Sequence, residues 1–452
     1  MVWLLNRAGD IARWVARRLV GFYYYAIFMT GRERIPVQGP VLLVANHANS
    51  LLDAVIVGKA AARLVHFLAK APLFSIPVFG PALQALGMVP AYRASDDPSQ
   101  LGRNLGSIQR CARCLVSGEA VGIFPEGKSH DLPRIEQVRT GAARIAVEAL
   151  KNGAQSLRIV PVGINYERKE RFRSAVWVNV GEPVPLESWR NAALEDEKKA
   201  VRGLTDEIGE RLRQVTTHLS EPDSEMLLQD LECLHPPAEG NGDPLARLQQ
   251  RKRIADAMNY FFAVDRAKAE RSAWLLRHNH EALAAVGLSV SSDFLRHRGA
   301  PLVARLLLRA LGMLIGFVLA LPGTVHHLIP FAITRVLARN ARAPGLSTVA
   351  LSRLLIGIPI YAGWYFAAWS WIAVHATSPV AWLWTLCMPV AGSVALVYWR
   401  HVVRFGPVLG REMAMLIRPE QITKLRGNQE KLRTGIAELA EEYRARHRGN
   451  AA

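Results

Sequence analysis

Asn46-His47-Ala48-Asn49-Ser50-Leu51-Leu52-Asp53 pairs a histidine with an aspartate six positions on. An imidazole can take the proton of a hydroxyl, while a carboxylate holds the ring's tautomer and stabilises its protonated form. Taken alone, such a pair is weak evidence, because most are surface groups or caps. Three further stretches set polar groups beside apolar runs. Phe124-Pro125-Glu126-Gly127-Lys128-Ser129 offers a glycine turn whose backbone N–H groups can face an anion, with Lys128 and Ser129 as added donors. Its plain alternative is a strand-to-loop turn with a capping serine. Gly87-Met88-Val89-Pro90-Ala91-Tyr92-Arg93 places a guanidinium after a strand-like run. That suits bidentate phosphate binding, or is one more surface arginine. Val160-Pro161-Val162-Gly163-Ile164-Asn165-Tyr166 is an apolar strand with a proline, which could be pure core.

The elements that must position these residues follow from periodicity. Strand candidates are Val41–Ala45 and residues 64–68, 121–124, 159–165 and 176–180. Between them, Leu101, Leu105, Ile108, Ala112 and Leu115 have helical spacing, as do Ala142, Ile145, Ala146 and Ala149. A further helix runs through Val201, Leu204, Ile208, Leu212 and Val215. Strands interleaved with helices imply an α/β layer structure. His47 and Glu126 both follow a predicted strand.

In this order and spacing, the four stretches resemble the phospholipid/glycerol acyltransferase superfamily, which includes lysophosphatidate and glycerol-3-phosphate acyltransferases. The resemblance covers about residues 30–215. It takes in Arg34-Ile35-Pro36 with Gly39-Pro40-Val41, and Thr140-Gly141 opening a helix. It implies acyl transfer without an acyl-enzyme intermediate. His47 would be the general base on the acceptor hydroxyl, oriented by Asp53, and the hydroxyl would attack the thioester of acyl-CoA or acyl carrier protein. Arg93, with Asn49, Glu126, Gly127, Lys128 and Ser129, would hold the acceptor's phosphate and shape the site. Glu126, an acid, would orient Arg93 or a glycerol hydroxyl rather than attract phosphate, and Pro161 would line the acyl region. No metal or bound cofactor is implied.

The commonest form of the motif has four residues between histidine and aspartate; here there are five. On an ideal helix six positions turn through about 600°, leaving the pair about 120° apart. His47 is therefore expected in the turn before a helix and Asp53 within it. The longer spacing, with Asn49 inside it, looks like the branch that includes yeast-type glycerol-3-phosphate acyltransferases. That tilts the expected acceptor toward glycerol-3-phosphate over 1-acylglycerol-3-phosphate. Another lysophospholipid, or a non-catalytic lipid-binding scaffold, is the alternative.

After residue 300 the chain changes character. Residues 310–334, 354–375 and 379–399 contain no Asp, Glu, Lys or Arg. About 20 helical residues cross a bilayer core of roughly 30 Å. The last two segments, joined by Ala376-Thr377-Ser378, are expected to form a transmembrane hairpin rich in tryptophan. In the first, Pro322-Gly323 falls near the middle, so a re-entrant segment competes with a full span. Arg353 before the hairpin and Arg400, Arg404 and Arg411 after it put both ends on the cytoplasmic side by the positive-inside rule. The α/β part then lies on the same side, and the expected location is the bacterial inner membrane.

The N-terminal stretch mixes Trp3, Ile11, Trp14 and Val15 with Arg7, Arg13, Arg17 and Arg18. It reads as a helix lying in the lipid interface, without the pattern of a cleaved signal peptide. The alternative is a terminal helix packed on its own domain. The expected organisation is thus a membrane-associated helix over 1–30, an α/β acyltransferase domain of mixed sheet flanked by helices over 31–220, and a helical insert over 245–300. A membrane-embedded helical region over 303–400 and a basic helical tail over 401–452 complete it. His235-Pro236-Pro237 through Pro244 reads as a linker.

The net charge of +18 calls for an anionic partner. With a mean hydropathy of +0.10 and no nucleic-acid motif, that partner is membrane phospholipid rather than nucleic acid. No G-x-S-x-G elbow is present, which disfavours a serine hydrolase. Cys111 and Cys114 form a lone C-x-x-C with no second pair and no nearby histidine, and read as ordinary helix residues. The oligomeric state is not legible.

Overall fold

A computed structural model describes residues 2–77, 79–92, 102–237, 243–340 and 346–447. The chain divides into two compact units. The first comprises Met1–His218, Pro244–Lys252 and Arg342–Leu354. The second comprises Leu219–Asp243, Arg253–Ala341 and Leu355–Ala452.

In the first unit, α1 (Val2–Tyr23) leads into β1 (Ala26–Thr30), β2 (Val41–Ala45), α2 (Ser50–Ala61), β3 (Val65–Lys70), α3 (Phe79–Ala85) and β4 (Val89–Ala91). Then follow α4 (Asn104–Val116), β5 (Ala120–Ile123), α5 (Gly141–Lys151), β6 (Arg158–Tyr166), β7 (Ala175–Val180), α6 (Glu187–Glu195) and α7 (Glu197–Val215). The strands form one mixed sheet in the order β1-β7-β6-β2-β5-β3-β4. Every pairing is parallel except β6 with β7. Central β2 reads Val-Leu-Leu-Val-Ala because both its faces are covered. Leu42 and Val44 pack against α4, α5 and α7, while Leu43 and Ala45 pack on the side of α1 and α2.

Two features differ from expectation at the N-terminus. Residues 26–30 are not part of a membrane helix but an edge strand, half-buried at all five positions. Such a strand has no alternation to announce it. The helix α1 itself packs on its own domain. Val20, Tyr23 and Tyr24 lie in the core, and Arg17 donates to Gly58 O at 3.2 Å. Its other face leaves Ile11, Trp14, Val15 and Phe22 exposed.

The second unit is helical. It contains α8 (Glu225–Leu234), most of α9 (Pro244–Val264), α10 (Arg266–Ala285) and α11 (Asp293–Arg296). Beyond them come α12 (Gly299–Asn340), most of α13 (Val349–His375), α14 (Ser378–Met415) and α15 (Pro419–His447). The expected linker falls partly on residues 238–242, outside the described residues. Helices α12, α13 and α14 are long and apolar enough to cross a membrane. Leu314, Val318, Phe366, Leu386 and Val390 are exposed on them, as a lipid-facing surface requires.

Pro322-Gly323 does not interrupt α12, which is one continuous helix of 42 residues. A proline inside an apolar helix is tolerated where neighbouring helices and side chains compensate. Gly323 is there for close approach: a Cβ on it would lie 2.0 Å from Ala391 O of α14. Gly392 is likewise covered by the His327 ring. Small residues let helix backbones meet where there is no hydrophobic force between them.

Candidate active site

Three strand ends build the site. β2 lies between β5 and β6 and runs parallel to both, so the segments following all three leave the same edge of the sheet. In open α/β sheets that edge, where the chain order reverses, is where ligands bind. β2 delivers His47, β5 delivers Phe124 to Ser129, and β6 delivers Tyr166. The Asn46 amide continues the β2–β6 pairing one step further, donating to Ile164 O at 3.1 Å and accepting from Ile164 N at 2.7 Å.

His47 lies in the turn before α2 and Asp53 in the first turn of that helix. The extra residue of the motif is absorbed at Ser50, whose φ of +50° is in the left-handed region. His47 Nδ1 is 3.0 Å from Asp53 Oδ2, which also accepts from Asn49 N at 2.6 Å. Asp53 Oδ1 accepts from the Tyr166 hydroxyl at 2.6 Å. The fully buried carboxylate thus receives three hydrogen bonds. With Nδ1–H committed to Asp53, the lone pair on His47 Nε2 is free to act as a base. The imidazole stacks on Phe124, ring centroids 4.2 Å apart and 13° from coplanar, which fixes its plane.

Glu126 ties the second segment to the first. Its Oε1 accepts from His47 N at 2.9 Å, and its Oε2 bonds His130 Nε2 and accepts from Glu136 N at 3.0 Å. Lys169, just beyond β6, donates to His130 O at 2.7 Å and pairs with Asp131 at 2.7 Å. Burial alone would raise the Asp131 carboxyl, but the bonds from Lys169 and from Leu346 N hold it below its ordinary value. Tyr24 donates to Lys169 O and accepts from Asn49 Nδ2. Burial, and then the Asp53 charge, push the Tyr166 phenol well above its ordinary range, so it remains a proton donor.

Residues 26–165, which span β1 through all but the last residue of β6, match the family model described as Acyltransferase. That segment is an acyltransferase-family domain. Among curated relatives, glycerol-3-phosphate O-acyltransferase 1 of Saccharomyces cerevisiae is 25% identical, over 57% of this chain and 35% of its own. An uncharacterized acyltransferase of Schizosaccharomyces pombe is 23% identical over 51% of this chain and 47% of its own. A lyso-ornithine lipid O-acyltransferase of Brucella abortus is 30% identical over 38% and 62%. The chain spans less than half the length of the two yeast relatives.

Within the acyltransferase domain, the expected site residues divide by position. His47, Asp53, Glu126 and Gly127 come together at the sheet edge. Asn49, expected to meet substrate, is fully buried and holds Tyr24 and Asp53 instead. Glu126, expected to orient Arg93 or a glycerol hydroxyl, has both oxygens taken up by the protein. Pro161 is not brought to the site. It pairs with Val44 inside the sheet, on the face covered by α5 and α7, with its ring against Gly181. Its missing donor is tolerated because its carbonyl faces Gly181 N, just past the end of β7. Lys128 is exposed and paired with Glu136 at 3.0 Å, and Ser129 is half-buried. Arg93 lies outside the described residues.

Sequence reasoning missed Tyr24, Tyr166 as an Asp53 partner, His130, Arg139 and Lys169. Arg139 is exposed, and its guanidinium lies over Gly127, with Nε 3.0 Å from where a Cβ would sit. Only His130, four residues after Glu126, carried a local signal.

Proposed function

We propose that the protein moves a fatty acyl group from acyl-CoA or acyl carrier protein to the hydroxyl of glycerol-3-phosphate or 1-acylglycerol-3-phosphate. The observation that carries this reading is the His47–Asp53 pair, 3.0 Å apart, which frees Nε2, in a segment tied to the Glu126-Gly127 turn through His47 N and Glu126 Oε1. His47 Nε2 takes the proton of the acceptor hydroxyl as its oxygen attacks the thioester carbonyl carbon. The carbon–sulfur bond then breaks, and the thiolate leaves with the proton carried by the imidazolium. Lys128, Ser129, Arg139 and Arg93 are the candidates for the acceptor's phosphate. The three apolar helices would hold the protein at the bilayer where acceptor and product lipids reside, with the acyltransferase domain on the cytoplasmic face.

A second acceptor class, another lysolipid, is favoured by the lyso-ornithine lipid O-acyltransferases among the relatives. The test is acyl transfer by detergent-solubilised protein from labelled oleoyl-CoA or oleoyl-acyl carrier protein, offered glycerol-3-phosphate, lysophosphatidate and lyso-ornithine lipid. Product with one glycerol-phosphate acceptor, absent in His47→Ala, supports the proposal. Product only with lyso-ornithine lipid moves the assignment to the second class. Equal turnover by wild type and His47→Ala rejects the base.

A further inference from the structure

At the opposite end of the sheet from His47, three side chains of unlike sequence origin converge. His66 is the second residue of β3, Cys114 lies in the last turn of α4, and Glu119 immediately precedes β5. One ligand atom from each, a His66 ring nitrogen, Cys114 Sγ and a Glu119 carboxylate oxygen, lies within 4.8 Å of the other two. We propose that this cluster is a binding site for a zinc-class divalent transition metal, with water completing the coordination.

The second shell already suits such an ion. His66 Nδ1 is 2.8 Å from Gly87 O, a hydrogen bond that places the ring proton on Nδ1 and leaves Nε2 as the ligand atom. Gly87 has a φ of +76°, and a Cβ there would sit 2.8 Å from that same Nδ1, so the turn before β4 is shaped around the imidazole. His66 Nε2 points at Glu119 Oε2, 3.2 Å away. The end of α4 sets the other two. Gly118, at φ +77°, turns the chain so that Glu119 N donates to Cys114 O at 2.9 Å. The Cys114 thiol and the Glu119 carboxylate are thereby brought into one group with His66.

A thiolate, an imidazole and a carboxylate are the donors zinc takes, at about 2.0–2.3 Å. Tetrahedral placement at those distances sets ligand atoms roughly 3.3–3.8 Å apart. The His66 Nε2–Glu119 Oε2 distance of 3.2 Å already matches that separation, and the 4.8 Å bound on the whole group leaves small side-chain shifts to close it. Cys111 takes no part; it is fully buried in the core. Because the site lies away from His47, the ion would clamp α4 to the β3–β4 edge and not enter the acyl transfer.

The test uses the purified full-length protein, stripped with chelator and titrated with Co2+. The expected result is one equivalent bound, with visible d–d bands and a near-ultraviolet sulfur-to-cobalt band. Cys114→Ser should lose the sulfur band, His66→Ala or Glu119→Gln should weaken binding about tenfold or more, and Cys111→Ser and His47→Ala should leave it unchanged. Circular dichroism of each stripped variant separates lost binding from lost fold. Absence of stoichiometric binding by the wild type overturns the proposal, as does a sulfur band that survives in Cys114→Ser.

Discussion

Tyr166, at the end of β6, donates its hydroxyl to Asp53 Oδ1 at 2.6 Å across 113 residues of sequence. The same carboxylate holds His47 through its other oxygen. The proposed catalytic pair is thus part of a hydrogen-bonded triplet in which Tyr166 holds the carboxylate's other oxygen. Tyr166→Phe should lower kcat about threefold to tenfold with KM little changed, since the half-buried Tyr166 commits its hydroxyl to Asp53 and would act through Asp53 and His47. A change confined to KM in steady-state assays would refute that positioning role.

Removing the base itself should cost more. His47→Ala is expected to lower kcat by about 10²–10⁴-fold, the range typical of a positioned general base. Asp53→Asn should approach the same loss, because the neutral amide no longer stabilises the protonated ring. Thermal unfolding of both variants would show whether the loss is chemical; a kcat within twofold of wild type would remove the pair from the mechanism.

Stability should fall in mild acid because of His218. Burial, with Arg213 nearby, lowers its pKa to about 4, and its Nδ1 accepts from Ile135 N at 2.9 Å. Between about 6.5, its ordinary value, and about 4, the unfolded chain binds a proton that the folded chain refuses. Stability contributed by neutral His218 is therefore full above that window and lost as pH falls through it. Denaturant midpoints measured from pH 7 to pH 4 should decline less steeply in His218→Gln, and identical slopes would show that other groups dominate.

The crossing of α12 and α14 predicts intolerance at Gly323. Its missing side chain faces the Ala391 carbonyl at 2.0 Å from an ideal Cβ, so Gly323→Val forces the backbones apart. A cost of about 1–3 kcal/mol is expected, typical of overpacking. It should appear as a lower Tm in detergent, while Gly363→Val, where nothing lies within 4 Å, should leave Tm near wild type.

Much of this architecture was legible because it is local. Val41–Ala45 followed at once by His47 marks a strand end carrying an imidazole, and the spacing to Asp53 required a turn before the helix. The structure bears this out, with His47 in the turn and Ser50, the first residue of α2, at a positive φ. The apolar runs that mark 121–124 and 159–165 recover β5 and β6 to within a residue at each end. β1 was lost because a half-buried edge strand has no period, and α12 was divided because proline and glycine read as breakers without the partner helix in view.

The sequence by itself determined the motif residues, the alternating α/β pattern and the uncharged C-terminal segments, since each is a property of neighbours along the chain. Only the tertiary structure decided what those residues touch. The strand order crosses the chain over itself, seating β2 between β5 and β6, so Tyr166 reaches Asp53 and Glu126 turns to His47 N rather than to a substrate. The same crossover sets β3 beside β5 and carries His66 to Cys114, two residues that no spacing rule connects. Parallel pairing of strands distant in sequence is a long-range choice made by burial of both sheet faces, and a local pattern does not contain it.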